Sequence, residues 1–82
     1  MKKQCPCCKC YTIEEEYDIC PVCYWEYDEV QNGDPDFSGG ANDLSLRDAA
    51  INYSLFGASE YRFLEKVRKP FEQELSGDYD RY

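Results

Sequence analysis

Six cysteines fall within residues 5–23, in two groups: Cys5, Cys7, Cys8 and Cys10 in CPCCKC, and Cys20 and Cys23 in CPVC. The first group offers two overlapping C-x-x-C pairs. A C-x-x-C segment lets a tight turn aim two sulfurs at one point while nearby backbone N–H groups donate to them. Zinc, a borderline-soft dication, takes four such thiolates in a tetrahedron. Pro after the first cysteine sets φ for the turn and removes one N–H that would need a partner. Of the two pairs in the first group, only Cys5 and Cys8 place Pro there, as Cys20-Pro21-Val22-Cys23 does. The expected ligand set is therefore Cys5, Cys8, Cys20 and Cys23, holding one structural zinc.

Iron is the less favoured competitor. Paired C-x-x-C knuckles also hold iron in rubredoxin-type electron carriers, but those set the knuckles much further apart in sequence. Cys7 and Cys10 remain over. One reading makes them a thiol-redox or metal-responsive pair, or alternative ligands; the plainer one has Cys7 filling the variable place of the knuckle and Cys10 opening a strand.

A disulfide framework would need an oxidising compartment. Met1-Lys2-Lys3 leads at once into Gln4 and the cysteines, without the apolar h-region of a secretory signal, and no apolar run approaches membrane length. A cytoplasmic location with reduced thiols and no membrane association is the expectation.

The rest of the chain explains why a metal is needed. Its 82 residues suit one domain with little interior. Leu, Ile, Val and Phe together supply under about a fifth of the sequence, and the formal net charge is −8, a balance that leans towards disorder unless something supplements the core. Eight Tyr, four Phe and Trp25 are the other resource. The acidity disfavours nucleic acid as a partner, since phosphates are neutralised by Lys and Arg, and points to an unknown, basic protein partner instead. Lys66, Arg68 and Lys69 are the one basic cluster and read as a solvated face near a helix end. The sequence does not set an oligomeric state.

Catalysis is disfavoured. The chain has no His, so no His-dependent base or triad is available. Four thiolates would also leave a metal no open position for water. Asp34, Asp36 and Ser38 imitate the opening of a calcium loop, but Ser45 stands where its bidentate Glu belongs, so Asp-Pro-Asp reads as a turn. Gly39-Gly40-Ala41-Asn42 lacks the Lys of a phosphate loop and sits among acids.

The elements expected to carry these residues form a small α+β domain spanning residues 1–75. Cysteine knuckles and a β-hairpin occupy 5–25, with Tyr11-Thr12-Ile13 and Tyr17-Asp18-Ile19 as strands around Glu14-Glu15-Glu16. A turn-rich loop covers 26–43, with a short strand around Tyr24 to Tyr27. A helical part follows over 44–69: one helix capped by Ser45 and ended by Gly57, and a second start at Ser59, with Pro70 as the stop. Trp25, Leu46, Tyr53, Phe56, Phe63 and Leu64 should pack helices onto the ribbon. Residues 76–82 are expected to fray.

CPCC at 5–8, ICPVC at 19–23 followed by aromatic-Trp-Glu, then DPD, GGAN, NY and FGA in that order, and VRKPFEQE at 67–74, resemble the bacterial cysteine-rich CPCC family. The resemblance covers most of the chain and implies a zinc-ribbon-like, metal-braced fold without implying a particular activity. Two departures from the family pattern stand out: Cys10 is an additional thiol, and Lys9 stands after the first knuckle where the resemblance leads one to expect Gly, a residue that would tolerate φ > 0 at the turn by Cys8.

Overall fold

The computed structural model describes residues 2–77. Its elements run β1 (Lys3–Gln4), β2 (Tyr11–Ile13), α1 (Glu29–Gly33), α2 (Leu46–Phe56), a 3-10 turn (Tyr61–Phe63) and α3 (Glu72–Ser76). The α+β class expected from the sequence is present, with its strands and knuckles first and its helices after.

The hairpin differs from expectation. β2 pairs antiparallel with β1, Lys3 against Ile13 and Gln4 against Tyr11, and not with residues 17–19. The reason lies in the knuckle. Cys5 N–H donates to Cys10 O at 2.8 Å and Lys9 N–H to Cys5 O at 2.8 Å, so CPCCKC folds back on itself and returns the chain beside its own entry strand. The second knuckle does the same. Cys20 N–H donates to Trp25 O at 2.9 Å and Tyr24 N–H to Cys20 O at 2.7 Å, while Ile19 bridges Glu26. The strand-like segment expected near Tyr24 to Tyr27 is thus present as this bridge.

Glu14-Glu15-Glu16 joins the two hairpins. The Asp18 carboxylate accepts from Glu14 N–H at 3.0 Å and Glu15 N–H at 3.1 Å, which closes the connection and holds that carboxyl below its usual pKa.

The segment 26–43 is better ordered than a loop. Asp28 caps α1, accepting from the N–H groups of Val30 and Gln31, and its other oxygen takes Ala41 N–H at 2.9 Å. Gln31 is wholly buried; its amide donates to the carbonyls of Phe37, Asn42 and Leu44 and accepts from Asn42. Asn42 in turn holds Glu26 at both its N–H and its C=O. A small polar core therefore organises this stretch, with every buried group bonded, as burial without water requires. Asp34-Pro35-Asp36 makes the expected turn, closed by Phe37 N–H on Asp34 O at 2.9 Å.

α2 begins and ends as its sequence predicts: Ser45 Oγ accepts Asp48 N–H at 3.2 Å, and Gly57 closes the helix at φ 91°. Leu46 and Ala49 are buried and Tyr53 packs against the core. Ser59 does not start a helix. It is buried, its N–H donating to Cys23 O at 2.8 Å and its C=O accepting from Asn52, and the 3-10 turn begins after Glu60. α3 lies beyond the expected helical part. It follows Pro70, where that residue can no longer interrupt it, and carries the chain through Ser76 to Gly77 at φ 74°, close against the Tyr11 ring. The rest of the segment expected to fray, residues 78–82, lies outside the described residues.

Candidate metal centre

The knuckles bring four sulfurs together. Cys5 Sγ lies 3.6 Å from Cys23 Sγ and Cys8 Sγ 3.7 Å from Cys20 Sγ, and all four atoms fall within 4.8 Å of one another. Each contact therefore pairs a sulfur of one knuckle with a sulfur of the other, and neither is short enough to be a disulfide bond. All six cysteines are free thiols. A tetrahedral ion at a metal–sulfur distance of about 2.3 Å sets neighbouring sulfurs about 3.8 Å apart. The donor set fits a single such ion, and could hold one with little movement.

The surroundings suit anionic sulfur. Thr12 Oγ1 donates to Cys20 Sγ at 3.0 Å, and Trp25 N–H to Cys23 Sγ at 3.4 Å. Thr12 reaches the site because the register of the β1/β2 pair shifts between Lys3 and Gln4, leaving Thr12 as the extra residue of a bulge. Thr12 and its neighbour Ile13 are consequently both buried, against the alternation of a regular strand.

Four thiols this close cannot all ionise beside one another without a cation. Hydrogen bonds from Cys23, then Cys5 and Cys8, with help from Thr12, hold Cys20 far below an ordinary thiol pKa. The bond to Cys20 pushes Cys8 and Cys23 far above it. The four thiols share their ionisation, and a bound dication is what would bring all of them to thiolates.

The centre is also the core. Cys5, Cys20 and Cys23 are 0% exposed, and all six cysteines join Ile13, Val22, Trp25, Leu46 and Ala49 in one buried cluster. Trp25 is fully enclosed, with its indole N–H on Asn32 Oδ1 at 3.0 Å, which places it as core and not as an exposed recognition residue. Tyr53 packs on the same cluster; burial, then the nearby thiols, push its hydroxyl up to about 12.

Cys7 and Cys10 stay outside the four-sulfur group. Both are buried, Cys7 in the place that Val22 fills in the second knuckle and Cys10 in the place of Trp25. Cys10 Sγ lies 3.8 Å from Cys8 O, and burial first of all raises its pKa. Reactive thiols sit in partly exposed places, whereas both of these side chains are buried.

The order of these features along the chain identifies the family. The model for the Cysteine-rich CPCC family matches residues 3–74. The chain belongs to that family. Its match takes in both knuckles of this CPCC domain, the polar core, α2 and most of α3. No curated protein matches the chain. Among the described residues, no helix is long and apolar enough to cross a membrane.

What the sequence did not disclose is the support: the Thr12 hydroxyl and the ties from the helical half. Ser59 N–H reaches Cys23 O, and Arg68 N–H reaches Pro21 O at 3.1 Å. Only the bulge, invisible in the residue types, could have signalled Thr12.

Proposed function

We propose that this CPCC domain is a zinc protein in which one structural ion, held by Cys5, Cys8, Cys20 and Cys23, braces a small non-catalytic interaction or regulatory module. The observation that carries the reading is the pair of inter-knuckle sulfur contacts, at 3.6 and 3.7 Å, close to the edge of a zinc tetrathiolate. Zinc is favoured over iron by the short spacing between knuckles, and a closed four-sulfur shell would leave no site for a metal-activated water.

The ion would act as the missing interior. Structural zinc in small finger peptides contributes about 10–16 kcal/mol of apparent binding free energy, more than a core of this size supplies. With a net charge of −8, the surface suits a basic protein partner, recruited with a rate that falls as salt rises.

Native mass spectrometry of freshly purified protein tests the metal directly. One zinc per chain is expected, and its removal by chelator should erase the circular dichroism of the folded chain. A chain that folds equally well without metal would overturn the structural role. A red protein with charge-transfer absorption would replace zinc by iron, and a fast-reacting Cys7/Cys10 pair in the loaded protein would restore the redox reading.

A further inference from the structure

The four clustered sulfurs are sealed from solvent. Cys5, Cys20 and Cys23 are 0% exposed and Cys8 9%. A metal ion therefore enters or leaves only when some part of the domain moves aside. Neither knuckle can do so without pulling its own sulfurs away, so the moving part is one that carries no ligand. Residues 24–59 are poorly suited to it. Trp25, Leu46 and Ala49 belong to the buried cluster, and Asp28, Gln31 and Asn42 tie the intervening chain together. Ser59 is itself buried, its N–H on Cys23 O and its C=O taken by the Asn52 amide.

Residues 60–77 differ. None of them joins the cluster, and Glu74 alone among them is buried. Their regular structure is a 3-10 turn of three residues and a helix of five, too short to persist undocked. The segment nevertheless runs from one knuckle to the other. The Phe63 ring lies 4.7 Å from that of Tyr24, beside the second knuckle, and Arg68 N–H donates to Pro21 O within it at 3.1 Å. α3 packs on β2, the strand that leaves the first knuckle, and Glu74 comes within electrostatic reach of Cys10 and Cys20. Arg68 joins the two ends: its terminal nitrogens each sit 2.7 Å from a Glu74 oxygen, and its guanidinium stacks 3.8 Å from the centre of Phe71. Little buried apolar surface and one internal ion pair mark this as an element of low local stability.

We propose that residues 60–77 form a strap over the metal centre, hinged after Ser59 and latched by Arg68 on Glu74, whose lifting sets the rate of metal exchange. The strap rests on the zinc reading above and adds a control to it. Seated, it shields the sulfurs from competing ligands. Lifted, it leaves all four cysteines in place, so the ion can pass to a chelating acceptor without unfolding of the domain.

The test mixes the zinc-loaded full chain with an excess of the dye pyridylazoresorcinol and follows zinc transfer by absorbance. Glu74→Gln should speed transfer about fivefold or more. Phe71→Ala removes an exposed ring from the same latch, should give a smaller rise, and decides the matter if Glu74→Gln fails to fold. Gly40→Ala loosens the polar core instead and should leave the rate near that of the wild type. Hydrogen exchange on the loaded protein should show the amides of Arg68 and Leu75 opening well before those of Cys20 and Ala49, and sooner still in Glu74→Gln. Native mass spectrometry counts the ion first, and a chain that holds none overturns the zinc reading and the strap together. With one ion bound, three results would overturn the strap alone: no acceleration by either latch variant, acceleration as large by Gly40→Ala as by Glu74→Gln, or strap amides exchanging as slowly as Cys20.

Discussion

Lys9 and Tyr24 occupy the same place in the two knuckles, with φ of 69° and 70°. Each follows the second cysteine of its pair, and each donates its N–H to the carbonyl of the first, Cys5 or Cys20. A left-handed residue here is what lets the chain reverse and bring both sulfurs to one point, yet neither residue is Gly. Left-handed backbone costs an ordinary residue about 1–2 kcal/mol, while Gly loses about 0.5–1 kcal/mol of chain entropy on ordering. Lys9 is exposed, so Lys9→Gly should raise stability by about 0.5–1 kcal/mol, seen as a higher denaturation midpoint of the metal-loaded protein. Tyr24→Gly should do the opposite, because the Tyr24 ring packs 4.7 Å from Phe63.

Thr12→Val tests the support of the metal centre. It removes the hydroxyl that donates to Cys20 Sγ at 3.0 Å while keeping the shape and the β-branch. Partners of this kind around metal ligands are worth about 10–100-fold in affinity. Competition against a chromophoric chelator should show metal bound at least about tenfold more weakly, with one ion per chain still bound at saturation. Unchanged affinity would make the bulge at Thr12 a packing feature alone.

Gly40→Ala addresses the polar core. A Cβ at residue 40 would stand 2.8 Å from both Asp28 Oδ2 and Gln31 Cδ, and 2.9 Å from Gln31 Cγ. These neighbours cannot yield cheaply, since Asp28 and Gln31 are buried and committed to the bonds that hold α1 and residues 37–44 together. A loss of about 1–3 kcal/mol is expected from such overpacking. Gly39→Ala meets open space but sits at φ 84°, so its cost should come from backbone strain alone. Paired thermal melts of the two variants separate the mechanisms.

The sequence disclosed the four clustered cysteines and α2 for one reason: those features are local. C-P-x-C turns, a Ser45 cap and a Gly57 stop act within four residues of themselves, and the structure places all of them where their chemistry requires. Strand pairing is not local in that way. Tyr11 to Ile13 and Tyr17 to Ile19 have matched β character, and only the inward fold of each knuckle decides that neither pairs with the other. Nor does a turn-rich composition reveal α1, because Asp28, Gln31 and Asn42 build their core across 14 residues by hydrogen bonds and not by an apolar period. Cys7 and Cys10 carried no distinguishing signal until burial was known.

Glu74 and Arg68 give a pH dependence that can be isolated. Glu74 is buried, takes both Arg68 nitrogens at 2.7 Å and also accepts Phe71 N–H at 2.8 Å. The Arg68 bonds above all hold its pKa below the ordinary 4.5, against the opposing effect of burial. Since the folded form keeps the carboxylate charged to lower pH than the unfolded chain does, the pair stabilises fully above the ordinary pKa. That contribution fades as pH falls through the depressed folded value. Arg68 is 36% exposed, so water screens the pair, and Glu74→Gln should cost about 1–2 kcal/mol at neutral pH instead of the larger loss of a fully buried pair. Acid also protonates metal-binding thiolates, which would mask the effect in the wild type alone. The difference in stability between wild type and Glu74→Gln cancels that common loss; measured by denaturation at a series of pH values, it should be constant above pH 6 or so and shrink towards zero below the ordinary carboxylate range. A difference that stays constant into acid would mean that Glu74 acts through its shape and its bond to Phe71, and not through its charge.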